Sequence, residues 1–233
     1  MTELIQTHGV DSAAGATGVV VIIDVLRAFT TAAYAFDAGA REIRIVATAE
    51  EAFDLRRADP KLVLVGEIDG KPIDGFDFGN SPYDVGRAEL SGRTLVLRST
   101  SGTQGVVRAT GAERVFLGSL VVAVATVRII RALCPASATF AAMGSPDGHD
   151  GDEDVACADY MTALYRGADI DEGAIIRRVE ESTPGLLALD PEVPWISEGD
   201  LAYATRPNHF DFAMEVAREG QHLIARRLTP PPD

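Results

Sequence analysis

Val19-Val20-Val21-Ile22-Ile23-Asp24-Val25-Leu26-Arg27-Ala28-Phe29-Thr30-Thr31-Ala32 opens on five apolar β-branched residues in a row. That run is the pattern of a strand buried on both faces, as in a parallel sheet. It stops at a carboxylate, Asp24, and Arg27 follows before small and hydroxyl residues start a helix leading to Tyr34, Ala35 and Phe36. Open α/β sheets place their ligands at the carboxyl ends of strands, where a charged turn meets a helix N-terminus. Unpaired N–H groups and the helix dipole favour an anion there, and an acid beside that anion suits a metal ion. The same residues also read as an Asp–Arg pair that closes a turn.

Outward from this unit the chain keeps alternating. Residues 3–8 read as a first strand, ahead of a Gly/Ala/Ser loop through Gly18. Further strands are expected over 42–47, 61–65, 93–98, 114–117 and 138–143, and helices over 120–133, 153–166 and 171–181. Thr48-Ala49-Glu50-Glu51 has the form of a capping box before a helix to about Arg57. A short strand near 201–204 and a final helix over 210–225 complete the reading. The alternation predicts an α/β fold, three-layer α/β/α with a largely parallel or mixed sheet. Residues 1–228 read as one α/β domain ahead of a disordered tail at 229–233. Two lobes divided near 111–134, with the site between them, are the other organisation the pattern permits.

A chain of 233 residues with 46% hydrophobic and 24% charged residues can bury a full core. Its net charge of −14 and the absence of any basic cluster argue against nucleic acid and against an anionic membrane surface. The start, Met1-Thr2-Glu3-Leu4, lacks signal-peptide character, and the apolar 120–133 segment is too short to span a bilayer. A cytoplasmic protein is expected, with Cys134 and Cys157 as core thiols. The Leu/Val content of the later helices permits a homodimer. Lys61 and Lys71 are the only lysines, so positive groups aimed at a small anion are nearly all arginines.

Four strand ends carry polar groups: Asp24 with Arg27, Glu67, Thr100 to Thr103, and Asp147 to Asp154. In a parallel sheet these lie along one edge. Oxygen ligands without histidine or thiol suit Mg²⁺ or a similar hard cation, and a metal with an arginine suits phosphoryl transfer. Ser99-Thr100-Ser101-Gly102-Thr103-Gln104-Gly105 resembles an anion nest, with no P-loop present. Residues 68–82 form a long aperiodic loop of a kind that is usually functional. It ends in Asn80-Ser81-Pro82, with Ser81 as a helix N-cap. Asp69, Asp74 and Asp77 read mainly as turn formers, Asp150 and Asp152 as solvated acids, and His149 and His209 as isolated histidines. Leu26 stands where a haloacid-type phosphatase motif has its second Asp, which counts against that mechanism.

Ile23-Asp24-Val25-Leu26-Arg27-Ala28, Gly66-Glu67 and Gly75-Phe76-Asp77-Phe78-Gly79-Asn80-Ser81-Pro82 resemble, in order and separation, the 2-phosphosulfolactate phosphatase family. Thr100 to Thr103, Gly118-Ser119-Leu120, and Glu153-Asp154 with Cys157-Ala158 extend the resemblance over about residues 18–166. It implies Mg²⁺-dependent hydrolysis of (2R)-2-phospho-3-sulfolactate, a small anionic phosphoester, to sulfolactate and phosphate, in coenzyme M biosynthesis. By position it implies Asp24, Glu67, Glu153 and Asp154 as metal and catalytic candidates. Arg27, Asn80, Ser81, Thr100, Ser101, Gly102 and Thr103 become anion-binding candidates. The family often shows Thr-Asn-Gly-Thr where this chain has Thr100-Ser101-Gly102-Thr103, a difference that bears on the sulfonate or carboxylate end of the substrate. A non-catalytic binder of a phosphorylated or sulfonated acid, or a phosphotransferase, would use the same pocket.

Overall fold

Every residue of strand β2 (Gly18–Ile23) is buried, as its unbroken apolar run requires. The computed structural model describes residues 2–144 and 151–231, so the expectations for Asp147, His149 and Asp150 lie outside the described residues. β2 lies between β7 (Ala112–Gly118) and β8 (Ser137–Ala142), and β1 (Glu3–His8) flanks β8, all four strands being parallel. A second parallel set is formed by β3 (Glu42–Ile45), β6 (Thr94–Arg98) and β4 (Val63–Ile68), with the two-residue β5 (Lys71–Pro72) turned back on β4.

The link between the two sets is a hairpin, β9 (Ala213–Glu219) and β10 (His222–Leu228), antiparallel to each other, to β7 and to β3. The sheet order is therefore β1-β8-β2-β7-β9-β10-β3-β6-β4-β5. This hairpin corrects the expected helix over 210–225. Ala, Glu and Arg in that segment favour a helix, but pairing on both sides decides the conformation. The turn is Gly220-Gln221, with Glu219 opposite His222 and Gly220 at φ +62°, a left-handed value that glycine adopts without penalty. The expected strand near 201–204 is likewise a helix, α9 (Glu198–Ala204), begun by a Ser197/Asp200 capping box.

The fold is α/β with helices on both faces of a mixed, mostly parallel sheet. Alternate side chains of β2 separate into two cores: Val20 and Ile22 on one side, Val19, Val21 and Ile23 on the other. The first core also takes Ile43, Val65 and Leu97 from the second parallel set, and it encloses α1 (Ala28–Asp37). Every residue of α1 from Ala28 to Phe36 is buried, which is the condition of a helix surrounded by sheet. The outer faces are covered by α5 (Ala123–Leu133), α6 (Asp152–Arg166) and α7 (Glu172–Glu181), with the short α8 (Thr183–Leu187) following α7, on the β2 side and by α2 (Ala49–Ala58) on the β4 side.

The three antiparallel junctions reverse direction, so the second parallel set runs opposite to the first. The polar strand ends therefore do not line one edge of a single parallel sheet. Twist of about 20–25° per strand step, over the five steps from β2 to β6, lets the sheet curl around α1 and bring both sets of carboxyl ends together. Two smaller expectations also change. Thr48 caps α2 by accepting the Glu51 N–H, but the Glu51 carboxylate reaches the Ala47 N–H rather than that of Thr48. Cys134 is exposed, at the left-handed cap of α5, while Cys157 is buried. Among the described residues no helix is long and apolar enough to cross a membrane.

Candidate active site

Asp24 leaves β2 at its carboxyl end and is buried. Its Oδ1 accepts the Ala28 N–H at the start of α1, and its Oδ2 accepts the Gly102 N–H at the start of α4 (Gly102–Arg108), each at 2.9 Å. The turn after β6, which reads as an anion nest in the sequence, thus holds a carboxylate of the protein itself. Burial, opposed by the Ala28 N–H and reinforced by the nearby charge of Glu67, pushes the Asp24 carboxyl from its ordinary 3.8 to about 6.

Glu67 enters the same junction from β4 and is also buried. Its Oε1 accepts the Thr100 N–H at 2.5 Å, and its Oε2 accepts the Thr100 hydroxyl at 2.9 Å and the Gly70 N–H at 2.7 Å. Asp154, in the first turn of α6, accepts the Val25 N–H at 2.7 Å and the Gly144 N–H at 2.9 Å. Burial, with the charges of Glu153 and Asp24, pushes the Asp154 carboxyl well above the usual carboxylate range. Three acids thus cross-brace the turns that follow β2, β4, β6 and β8. Glu153 is buried beside Asp154 and lines the same cavity.

Arg27 does not pair directly with Asp24. Its Nη1 donates to the Trp195 carbonyl and contacts Asp200 Oδ2 at 3.5 Å, and its Nη2 donates to the Gly70 carbonyl at 3.0 Å. The reading of an Asp–Arg pair closing a turn is therefore not what the chain builds. Three of the five guanidinium N–H donors are used in these contacts, and the remaining donors suit an oxyanion.

The Gly-Phe-Asp-Phe-Gly stretch runs beside β4. Asp77 accepts the Leu64 N–H at 2.7 Å and pairs with Arg56, while the Phe78 carbonyl accepts the Gly66 N–H at 3.1 Å. Its path delivers Asn80 to the cavity wall, buried, with an Oδ1 that has no hydrogen-bond partner among the described residues. Ser81 turns away from the cavity: it caps α3 (Pro82–Val85) through the Asp84 N–H and donates its hydroxyl to Asp200 Oδ1 at 2.5 Å. Thr100 and Ser101 line the cavity, whereas Thr103 is buried in exchange with Ser99 and Gly102 contributes its N–H to Asp24.

These residues surround a cavity of about 210 Å³ whose wall holds Asp24, Glu67, Glu153, Asp154, Arg27 and Asn80. Four buried acids and the exposed Asp69 against one arginine give it a strongly anionic lining. Among the described residues, no set of three or more acids, histidines or cysteines is arranged to hold a metal ion. Mg²⁺, however, is commonly held by one or two carboxylates, with waters and substrate phosphate completing its shell. Asp24 and Asp154 each keep a second acceptor site on both oxygens beyond the N–H groups they bind. The donor chemistry therefore fits a hard cation.

A family profile described as 2-phosphosulpholactate phosphatase matches residues 5–183. The chain is also similar to a Bacillus subtilis protein named "Probable 2-phosphosulfolactate phosphatase", 33% identical over 209 residues, covering 89% of this chain and 91% of that protein. The chain belongs to the 2-phosphosulpholactate phosphatase family. Proteins of the same printed name from Deinococcus radiodurans and Thermoplasma acidophilum are 38% identical over 163 residues and 28% identical over 195 residues. They are matched over 68% and 84% of this chain and over 67% and 84% of their own lengths, respectively. The profile match over residues 5–183 spans every site candidate read from the sequence and stops short of Trp195 and Asp200, which hold Arg27 in place. Those two residues were missed. The signal that could have found Asp200 is the Ser-x-x-Asp capping pattern at 197–200, and nothing local marks Trp195.

Proposed function

We propose that this chain is a Mg²⁺-dependent phosphatase that hydrolyses 2-phosphosulfolactate, or a small phosphorylated acid like it, to the hydroxy acid and phosphate. The supporting observation is one cavity where four buried carboxylates meet Arg27, in a chain whose relatives carry that activity in their names. Asp24, Glu67, Glu153 and Asp154 are the residues that would hold Mg²⁺, which when bound supplies charge neutralisation on the phosphate and acidifies water. Arg27 donates its remaining N–H groups to phosphate oxygens. A carboxylate not engaged by the cation orients the attacking water, takes its proton as the ester P–O bond breaks, and gives that proton up to the departing alkoxide, which leaves as the hydroxy acid. Asn80 and Ser101 face the acid end of the substrate, where a sulfonate or carboxylate needs neutral donors beside so many acids; both donors of Thr100 are already taken by Glu67.

The test is phosphate release from 2-phosphosulfolactate and a panel of phosphorylated three-carbon acids, with Mg²⁺ and with EDTA. Release that requires Mg²⁺ and prefers the sulfonate is expected. Release from other phosphoacids alone would replace the substrate and keep the chemistry. Silence across the panel from folded protein would reject the enzyme in favour of a binder.

A further inference from the structure

The geometry points to Asp200 as the positioning residue for Arg27, supplied by a segment that lies beyond the residues the family profile matches. This rests on the phosphatase reading above, in which Arg27 binds the substrate's phosphate. Asp200 is 1% exposed and has four partners. Its Oδ2 accepts the Ser197 N–H at 2.9 Å and meets Arg27 Nη1 at 3.5 Å. Its Oδ1 accepts the Ser81 hydroxyl at 2.5 Å and the Tyr83 N–H at 3.3 Å. One carboxylate therefore joins the turn after β2, the Asn80-Ser81-Pro82 loop and the start of α9.

A helix cap alone does not account for this arrangement. Burying an ionised carboxylate is more costly than a capping bond is favourable, unless other charges and donors meet it. The charge it meets is Arg27, and Asp200 is the largest of the neighbouring charges that oppose the effect of burial on that guanidinium. The contact is single and long, not a bidentate fork. It orients the arginine while leaving much of its positive charge for an incoming oxyanion. The Trp195 and Gly70 carbonyls complete the cradle without adding charge.

The experiment is a double-mutant cycle on kcat and KM for 2-phosphosulfolactate with Mg²⁺, using wild type, Asp200→Asn, Arg27→Ala and the double variant, each checked for folding by thermal melting. Asp200→Asn is expected to lower kcat/KM about 10²-fold in the wild-type background, the scale of a misplaced substrate-orienting group. In the Arg27→Ala background it is expected to change kcat/KM by less than about threefold, because its effect passes through Arg27. Equal losses in the two backgrounds would overturn the assignment while leaving the phosphatase intact. A wild-type enzyme silent toward every phosphoester overturns the phosphatase reading, and this assignment with it. If Asp200→Asn melts below the assay temperature, Asp200→Glu, which keeps the charge and displaces it by one methylene, takes its place in the cycle.

Discussion

The turn after β2 and the turn after β6 meet at a single hydrogen bond, from Gly102 N–H to Asp24 Oδ2, yet they contribute in opposite ways. The first supplies charged side chains, Asp24 and Arg27. The second supplies backbone, its Thr100 and Gly102 N–H groups being taken by Glu67 and Asp24. Both turns look like anion sites in sequence, since each joins a buried strand to a helix start. The difference lies in which anion is held. The β6 turn binds the protein's own carboxylates and so fixes where they stand, whereas the β2 turn presents the charged side chains of Asp24 and Arg27 to the cavity.

The largest consequence concerns the charge on the β2 side. Asp24→Asn keeps the shape and removes the negative charge, and phosphate release with Mg²⁺ should fall about 10³-fold, in the range seen when a preorganised electrostatic group is lost. Circular dichroism should show the fold retained. An Asn variant with more than a tenth of wild-type turnover would reduce Asp24 to a brace for the β6 turn.

Next in size is the pH dependence of that same carboxyl in EDTA-treated protein. Burial raises its folded-state pKa from 3.8 to about 6, so between those values the folded state holds more protons than the unfolded state. Stability must then fall as pH rises through that window, with no cost below 3.8 and the full cost above 6. At about 1.4 kcal/mol per pKa unit, the rise from 3.8 to about 6 corresponds to ~3 kcal/mol. The stability of wild type minus that of Asp24→Asn, from urea unfolding at pH 4 to 7, should decline by up to that amount. A difference independent of pH would show that the N–H groups of Ala28 and Gly102 fully offset the burial.

On the β6 side the corresponding change is Gly102→Ala. A Cβ there would stand 2.5 Å from Asp24 Oδ2 and 3.0 Å from Phe29 Cζ. Overpacking of this kind costs about 1–3 kcal/mol, and here it also displaces the carboxylate. Melting temperature and turnover should both fall, turnover by roughly tenfold. A variant with normal turnover and a lowered melting temperature would separate the brace from the chemistry.

The same contrast explains what could be read from sequence. β2, β4, β6 and their polar ends were legible because a buried strand running into a charged or glycine-rich turn is a local pattern. That the two parallel sets oppose each other was not legible, because it depends on a hairpin, β9 with β10, whose residues favour a helix in isolation. Asp24, Glu67 and Asn80 announced themselves at strand and loop ends. Asp200 did not, because its role depends on α9 packing against the Asn80-Ser81-Pro82 loop and Arg27, contacts 117 to 173 residues apart in the chain.

The smallest expected effect is at Ser101, which lines the cavity beside Thr100 and stands where the family often has Asn. If the turn only braces acids, Ser101→Asn should leave substrate preference unchanged, because neither Thr100 nor Gly102 alters its N–H bonds. If the turn also meets the acid end of the substrate, the added amide supplies one more neutral donor. A net hydrogen bond is worth about 0.5–1.5 kcal/mol, so the ratio of kcat/KM for the sulfonate over its carboxylate-only analogue should then shift by roughly 2–10-fold. The shift is the expected result, since Ser101 is only partly buried and already lines the wall. An unchanged ratio would assign substrate choice to Asn80 and leave the β6 turn with backbone work alone.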